Sequence, residues 1–270
     1  MSIAAAPIQD WFKSTAGEYL QASEKPLFDQ AVSDLFGFNA LQVGSMPLDL
    51  LANSRMPNRY KALAIEAGGV VNGEHQANVV CSDDFLPFAE MSLDLLLLPH
   101  RLEFSDRPHQ TLREAARVMM PDGHLIISGF NPISAWGACA FIKKLFCKQL
   151  HYPWHARLIG LNRLKDWLAL LGFEVVIVRS CCHVPPFENV AWHKRLLFMD
   201  KLGQHAFSRL AGVYFIVAKK RVPGMTPIKP NWKQSGATNI LTARPKSIGR
   251  PNKSRDKLNR LSRKTLEKTP

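Results

Sequence analysis

The side chains that could do chemistry gather at a few points of the sequence. His100 is the first polar side chain after the apolar run Leu93–Leu98. An imidazole titrates near neutral pH and can take up or deliver a proton there, or it can serve as a hydrogen-bonded wall of a pocket. Asn131-Pro132 follows a second apolar run, where an amide can orient a reacting group or simply make a turn. Glu66 lies twenty-two residues after Gly44. Its two oxygens suit a pair of neighbouring hydroxyls, with a solvated acid beside a loop as the plainer reading. Val43-Gly44 closes a short β-prone run, and a residue without Cβ lets a ligand reach the backbone. Ser82, Asp83 and Phe85 offer a hydroxyl, a carboxylate and a ring in one short turn. His151 and His155 are four apart, but Pro153 between them breaks a common helical face, so no metal site is expected.

These groups are positioned by a readable succession of elements. Leu93–Leu98, broken only by Asp94 and stopped by Pro99, suits a strand buried on both faces. Ser105, Asp106 and Pro108 are helix-start residues. Leu112, Ala115, Ala116 and Met119 then follow at i, i+3, i+4 and i+7, one apolar helical stripe. Pro121-Asp122-Gly123 is a turn signal, and Leu125-Ile126-Ile127 reads as a second buried strand. Strand, helix and strand make a βαβ unit with parallel strands. Further strands are expected at 40–43, 59–67, 77–81, 173–179 and 213–218, and helices within 1–34 and at 133–150 and 162–171. His100 and Asn131 then fall at the carboxyl edge of an open α/β sheet, where such sheets bind ligands.

The stretch from Leu86 to Asn131 resembles the C-terminal half of the core of class I S-adenosylmethionine-dependent methyltransferases of the methyltransferase-11 type. The likeness rests on Leu86-Pro87-Phe88, Ser92-Leu93-Asp94, the run Leu112–Val118, Pro121-Asp122-Gly123-His124-Leu125 and Ile126–Phe130. With Asn131-Pro132-Ile133-Ser134 it is most similar to a bacterial branch labelled YafS-like, over about residues 35 to 180. The resemblance implies a doubly wound α/β fold, Rossmann-like, with a mostly parallel seven-stranded sheet, and S-adenosyl-L-methionine as cofactor. It implies that Val43 and Gly44 approach the methionine part, that Glu66 takes the ribose hydroxyls, and that Ser82, Asp83 and Phe85 lie near the adenine. His100 and Asn131 would line the pocket of a methyl acceptor that the motifs leave open. One departure is plain. The family pattern has a GxGxG loop with an acid two residues before its first glycine; here only Gly44 matches, and Gln42 holds the acid's place.

Charge separates the chain into parts. Residues 219–270 hold 15 Lys/Arg against 2 Asp/Glu, while residues 1–218 hold 20 of each, so the net +13 belongs to the C-terminal segment. Its prolines and sparse apolar residues suit a disordered basic tail attracting RNA or another polyanion. The expected organisation is a helical cap over 1–34, a methyltransferase-like domain over 35–218, and the tail. Five cysteines without a CxxC pair suit reduced thiols. No apolar run approaches a membrane span and no secretory signal is apparent, so a cytoplasmic location is expected. A methyltransferase acting by in-line displacement is the leading expectation. A fold retained as a binding module, for which the lost glycine pattern speaks, and an RNA- or DNA-associated protein are the alternatives.

Overall fold

The computed structural model describes residues 11–44, 46–64, 79–82, 84–147, 153–186, 195–196, 200 and 210–221. The chain divides into two units, Met1–Gly224 and Met225–Pro270, and every described residue lies in the first. In chain order the elements are α1 (Thr15–Ser33), β1 (Asn39–Val43), β2 (Asn58–Ala64), β3 (Val79–Cys81), β4 (Leu93–Pro99), α2 (Pro108–Val118), β5 (Met119–Phe130), α3 (Ala135–Phe146), α4 (Leu161–Leu170), β6 (Phe173–Cys181) and β7 (Val213–Lys220). They form one sheet in the order β3-β2-β1-β4-β5-β7-β6. The strands from β1 to β5 pair in parallel, and β7 runs antiparallel to both β5 and β6. This is the Rossmann-like fold expected from the sequence.

The period-two alternation of the central strands feeds two cores. Leu95, Leu97 and Ile126 pack with Leu20, Phe28 and Val32 of α1 and Trp136 of α3. Leu96, Leu98, Leu125 and Ile127 pack instead with Leu112, Ala115 and Val118 of α2 and Leu164 and Leu168 of α4. A strand that is apolar on both faces needs helices on both sides, and it has them. The one acid in β4 has a structural task. Asp94 Oδ2 accepts the Phe38 and Asn39 N–H groups at 2.8 and 3.0 Å, fixing the entry of β1.

Several sequence expectations shift in detail. The stripe of α2 is Leu112, Ala115 and Val118, and Met119 already begins β5. Pro121-Asp122-Gly123 forms a bulge inside β5 rather than a separate turn: the pairing passes from Leu93↔Met119 to Leu95↔His124, with Asp122 at φ 62°. Helix α3 ends at Phe146, four residues short of expectation. The boundary of the basic segment moves as well. Lys219 and Lys220 belong to β7. Lys220 Nζ donates to the Ala116 and Met119 carbonyls at 2.7 and 2.8 Å, closing the C-terminal end of α2. Arg221 reaches Asp122 and Glu174. The remainder of the expected tail, 222–270, lies outside the described residues, as do residues 1–10 of the cap.

Candidate active site

Parallel strands place their carboxyl ends on one edge, and the order β2-β1-β4-β5 reverses chain direction between β1 and β4. That is the switch point of an open α/β sheet, where its ligand crevice lies. Gly44 closes β1 there. Its φ is +150°, and a Cβ built on it would stand 3.2 Å from the Pro99 carbonyl at the end of β4. Val43 turns its side chain into the core, so its backbone alone reaches the edge. Gln42 is also buried. Its Nε2 donates to the Leu48 carbonyl at 2.8 Å, and its Oε1 accepts the Leu50 N–H at 3.0 Å. The amide that stands in the acid's place therefore folds the loop behind Gly44.

At the end of β3, Ser82 and Phe85 form a bridge, with the Phe85 N–H donating to the Ser82 carbonyl at 3.1 Å. Phe85 is 68% exposed, unusual for a phenylalanine, and its ring faces the Arg117 guanidinium at 5.9 Å. Helix α2 bolts this loop down. Arg117 donates to the Phe88 and Leu86 carbonyls at 3.1 and 3.0 Å, and to Glu114 at 2.8 Å. Asp83 and Glu66 lie outside the described residues.

His100 follows β4 in the left-handed region, φ 47°, with its N–H on the Ser128 carbonyl. Its ring is enclosed. Nε2 lies 2.8 Å from Glu24 Oε1 on α1, and Nδ1 lies 3.4 Å from Glu103 Oε2. Glu103 Oε1 in turn accepts the Phe130 N–H. Burial alone would lower the imidazole pKa, but the charges of Glu24 and Glu103 override it and raise the pKa to about 10. At neutral pH the ring is an imidazolium with both N–H groups taken, and it has no lone pair with which to accept a proton. The general-base role read from the sequence does not fit this geometry. His100 instead locks the N-terminal helix onto the end of β4.

Asn131 is likewise occupied. Its Nδ2 donates to the Ala211 carbonyl at 3.0 Å, and its Oδ1 accepts the Ile133 N–H at 3.1 Å. Its carbonyl accepts the Ser134 hydroxyl at 2.6 Å, and Ser134 caps α3 through the Gly137 N–H. The expected acceptor-orienting amide shapes the turn that carries β5 into α3. Against that turn lies a cavity of about 680 Å³, lined by Pro132, Ile133, Phe141, Lys144, Trp154 and Arg157 among others. A column of rings joins it to His100. His100 lies on Phe130 at 4.3 Å between centroids, Phe130 on Trp136 at 5.4 Å, and Trp136 on Trp154 at 6.2 Å.

Sequence reasoning assigns no role to Glu24, Glu103, Glu114 or Arg117. The signal for Glu24 was present: Leu20, Glu24 and Phe28 are four apart, so the acid sits within an apolar stripe of α1. Glu103, three residues after His100, was the other.

The methyltransferase-domain family matches residues 51–127 of this chain. The protein YafS of Escherichia coli (strain K12) is 33% identical over 209 residues, 77% of this chain and 78% of YafS. Among solved structures, a methyltransferase of Thermotoga maritima dependent on S-adenosylmethionine superposes with a TM-score of 0.54. It is 17% identical and covers 79% of this chain and 94% of its own. Another, from Archaeoglobus fulgidus, gives a TM-score of 0.52 at 19% identity, over 78% of this chain and 97% of its own. At these identities both structures speak for the fold.

Proposed function

We propose that this chain, which belongs to the family of YafS and matches the methyltransferase-domain family over residues 51–127, transfers a methyl group from S-adenosylmethionine to an acceptor held in the cavity beside β5. The family and the fold imply that cofactor. Two features of the crevice suit it: the Cβ-free backbone of Gly44 beside Pro99, and the solvent-facing ring of Phe85, whose flat side a purine would cover. When bound, S-adenosylmethionine supplies an electrophilic methyl group. In this reading the backbone of Val43 and Gly44 holds the methionine part, Glu66 the ribose, and Ser82, Asp83 and Phe85 the adenine. His100 and Asn131 act by position, the first holding α1 over the sheet and the second setting the turn that borders the acceptor.

The chemistry asked of the protein is alignment, since displacement at a methyl carbon is governed by distance and angle. Its acceptor is best one that needs no base. Among the described residues, the cavity lining has Lys144 and Arg157 but no carboxylate and no histidine. An apolar acceptor whose nucleophilic oxygen or nitrogen arrives deprotonated fits that wall. The observation that carries the reading is the placement of Gly44 at the β1–β4 switch point, against Pro99. Gly44→Val should abolish cofactor binding in isothermal titration and, because φ is +150° and a Cβ would meet the Pro99 carbonyl, should also lower the melting temperature. Unchanged affinity would move the site elsewhere. For the basic segment 222–270 we propose electrostatic attraction to RNA, supported by its 12 Lys/Arg against 2 Asp/Glu.

A further inference from the structure

Helix α3 is apolar on both sides, and it buries one of them. Trp136, Gly137 and Ala140 face the core. Phe141, Ile142, Leu145 and Phe146 are 69%, 53%, 67% and 77% exposed. At 3.6 residues per turn these four side chains fall within an arc of about 140°, with Lys144 just beyond one edge and Lys143 beyond the other. Apolar side chains grouped this way in water mark an interaction surface rather than ordinary scatter. Lys143 Nζ lies 4.3 Å above the Trp154 ring, so one flanking charge is held in place.

The surrounding charge says what covers the face. From Gly123 to Gly160 the chain contains no Asp or Glu; Lys143 and Lys144 flank the face on α3, and Arg157 lines the cavity that Phe141 and Lys144 also border. A second copy of the chain is a poor occupant, because a two-fold contact turns a patch onto itself and would set lysine against lysine. An anionic lipid surface satisfies both parts: acyl chains for the ring and aliphatic groups, phosphates for the lysines. We propose that α3 is a membrane-docking helix lying in the plane of an anionic leaflet, with Ile142, Leu145 and Phe146 inserted at the headgroup–acyl boundary. Its 12 residues span about 18 Å, enough to lie along the surface and too short to cross. The proposal concerns this surface alone and stands whether or not the cavity holds the acceptor.

The test is flotation of the full chain with vesicles of phosphatidylcholine alone or mixed with phosphatidylglycerol, at low and at high salt. It is repeated with the triple variant Ile142→Ser, Leu145→Ser, Phe146→Ser. The wild type should float with the phosphatidylglycerol vesicles and keep part of that binding at high salt, because inserted apolar groups are not screened. The variant, altered only at exposed positions, should melt at the wild-type temperature and bind at least about tenfold more weakly at high salt. Equal salt-resistant binding by the variant would overturn the proposal, as would a wild type that binds neither vesicle. So would a wild-type dimer that the same substitutions dissociate while vesicles go unbound; a second copy would then be the occupant.

Discussion

The Nε2 atom of His100 lies 2.8 Å from Oε1 of Glu24, across 76 residues of chain. This contact joins the N-terminal helix to the end of β4, one residue past the point where Pro99 meets Gly44. The helix that covers one face of the sheet is thus held by a charge at the edge of the proposed crevice. A protonated ring between two carboxylates is costly to expose and costly to leave half-paired.

Stability should carry the mark of this ring. Its pKa in the folded chain, raised to about 10, lies above its ordinary value of 6.5. The stabilisation is therefore complete below about pH 6.5 and is lost as pH rises through about 10. Thermal melts of the wild type should fall across that window. His100→Asn, which tolerates the left-handed backbone, should lower stability by about 3–5 kcal/mol and flatten the slope. A wild-type melting temperature unchanged from pH 6.5 to 10 would mean that the ring is neutral.

Gln42 allows a sharper test of the departure from the family pattern. Gln42→Glu restores the family's acid but sets a carboxylate against the Leu48 carbonyl, to which Nε2 now donates. The variant should lose about 1–3 kcal/mol of stability and gain no cofactor affinity. Tighter binding at undiminished stability would show that the acid's ligand role survives here.

Phe85 is exposed, so its removal should not disturb the fold. Phe85→Ala should weaken cofactor binding by roughly tenfold, the scale of one aromatic–base stacking contact, with an unchanged melting curve. Equal affinity in isothermal titration would place the adenine away from this ring.

Residues 222–270 hold 12 Lys/Arg against 2 Asp/Glu. Removing them should leave the melting temperature and cofactor affinity unchanged and abolish salt-sensitive RNA binding. The logarithm of the wild-type binding constant should fall by about 0.7 for each phosphate neutralised, per logarithmic unit of salt. Salt-independent RNA binding that survives the deletion would contradict the charge argument.

The sheet was legible because its central strands are short apolar runs, two of them closed by Gly44 and Pro99, and local pattern decides such elements. The bulge at Asp122 was not, since whether a turn signal ends a strand or bends it depends on the neighbouring strand's register. His100 and Asn131 stand at the sheet edge as the sequence implied, but the partners that hold their polar atoms were not legible. A histidine's protonation and an amide's partners depend on groups far along the chain, here Glu24 and Ala211. Gln42 was noticed as a missing acid; its part in folding the loop shows only when Leu48 and Leu50 are in place.

The central claim, that this fold works as a methyltransferase, is met most directly by titrating the purified wild-type chain with S-adenosylmethionine and with its demethylated product. The account predicts saturable binding of both, with one molecule per chain. No heat of binding at millimolar concentrations of either would contradict it, and the fold would then serve as an interaction module.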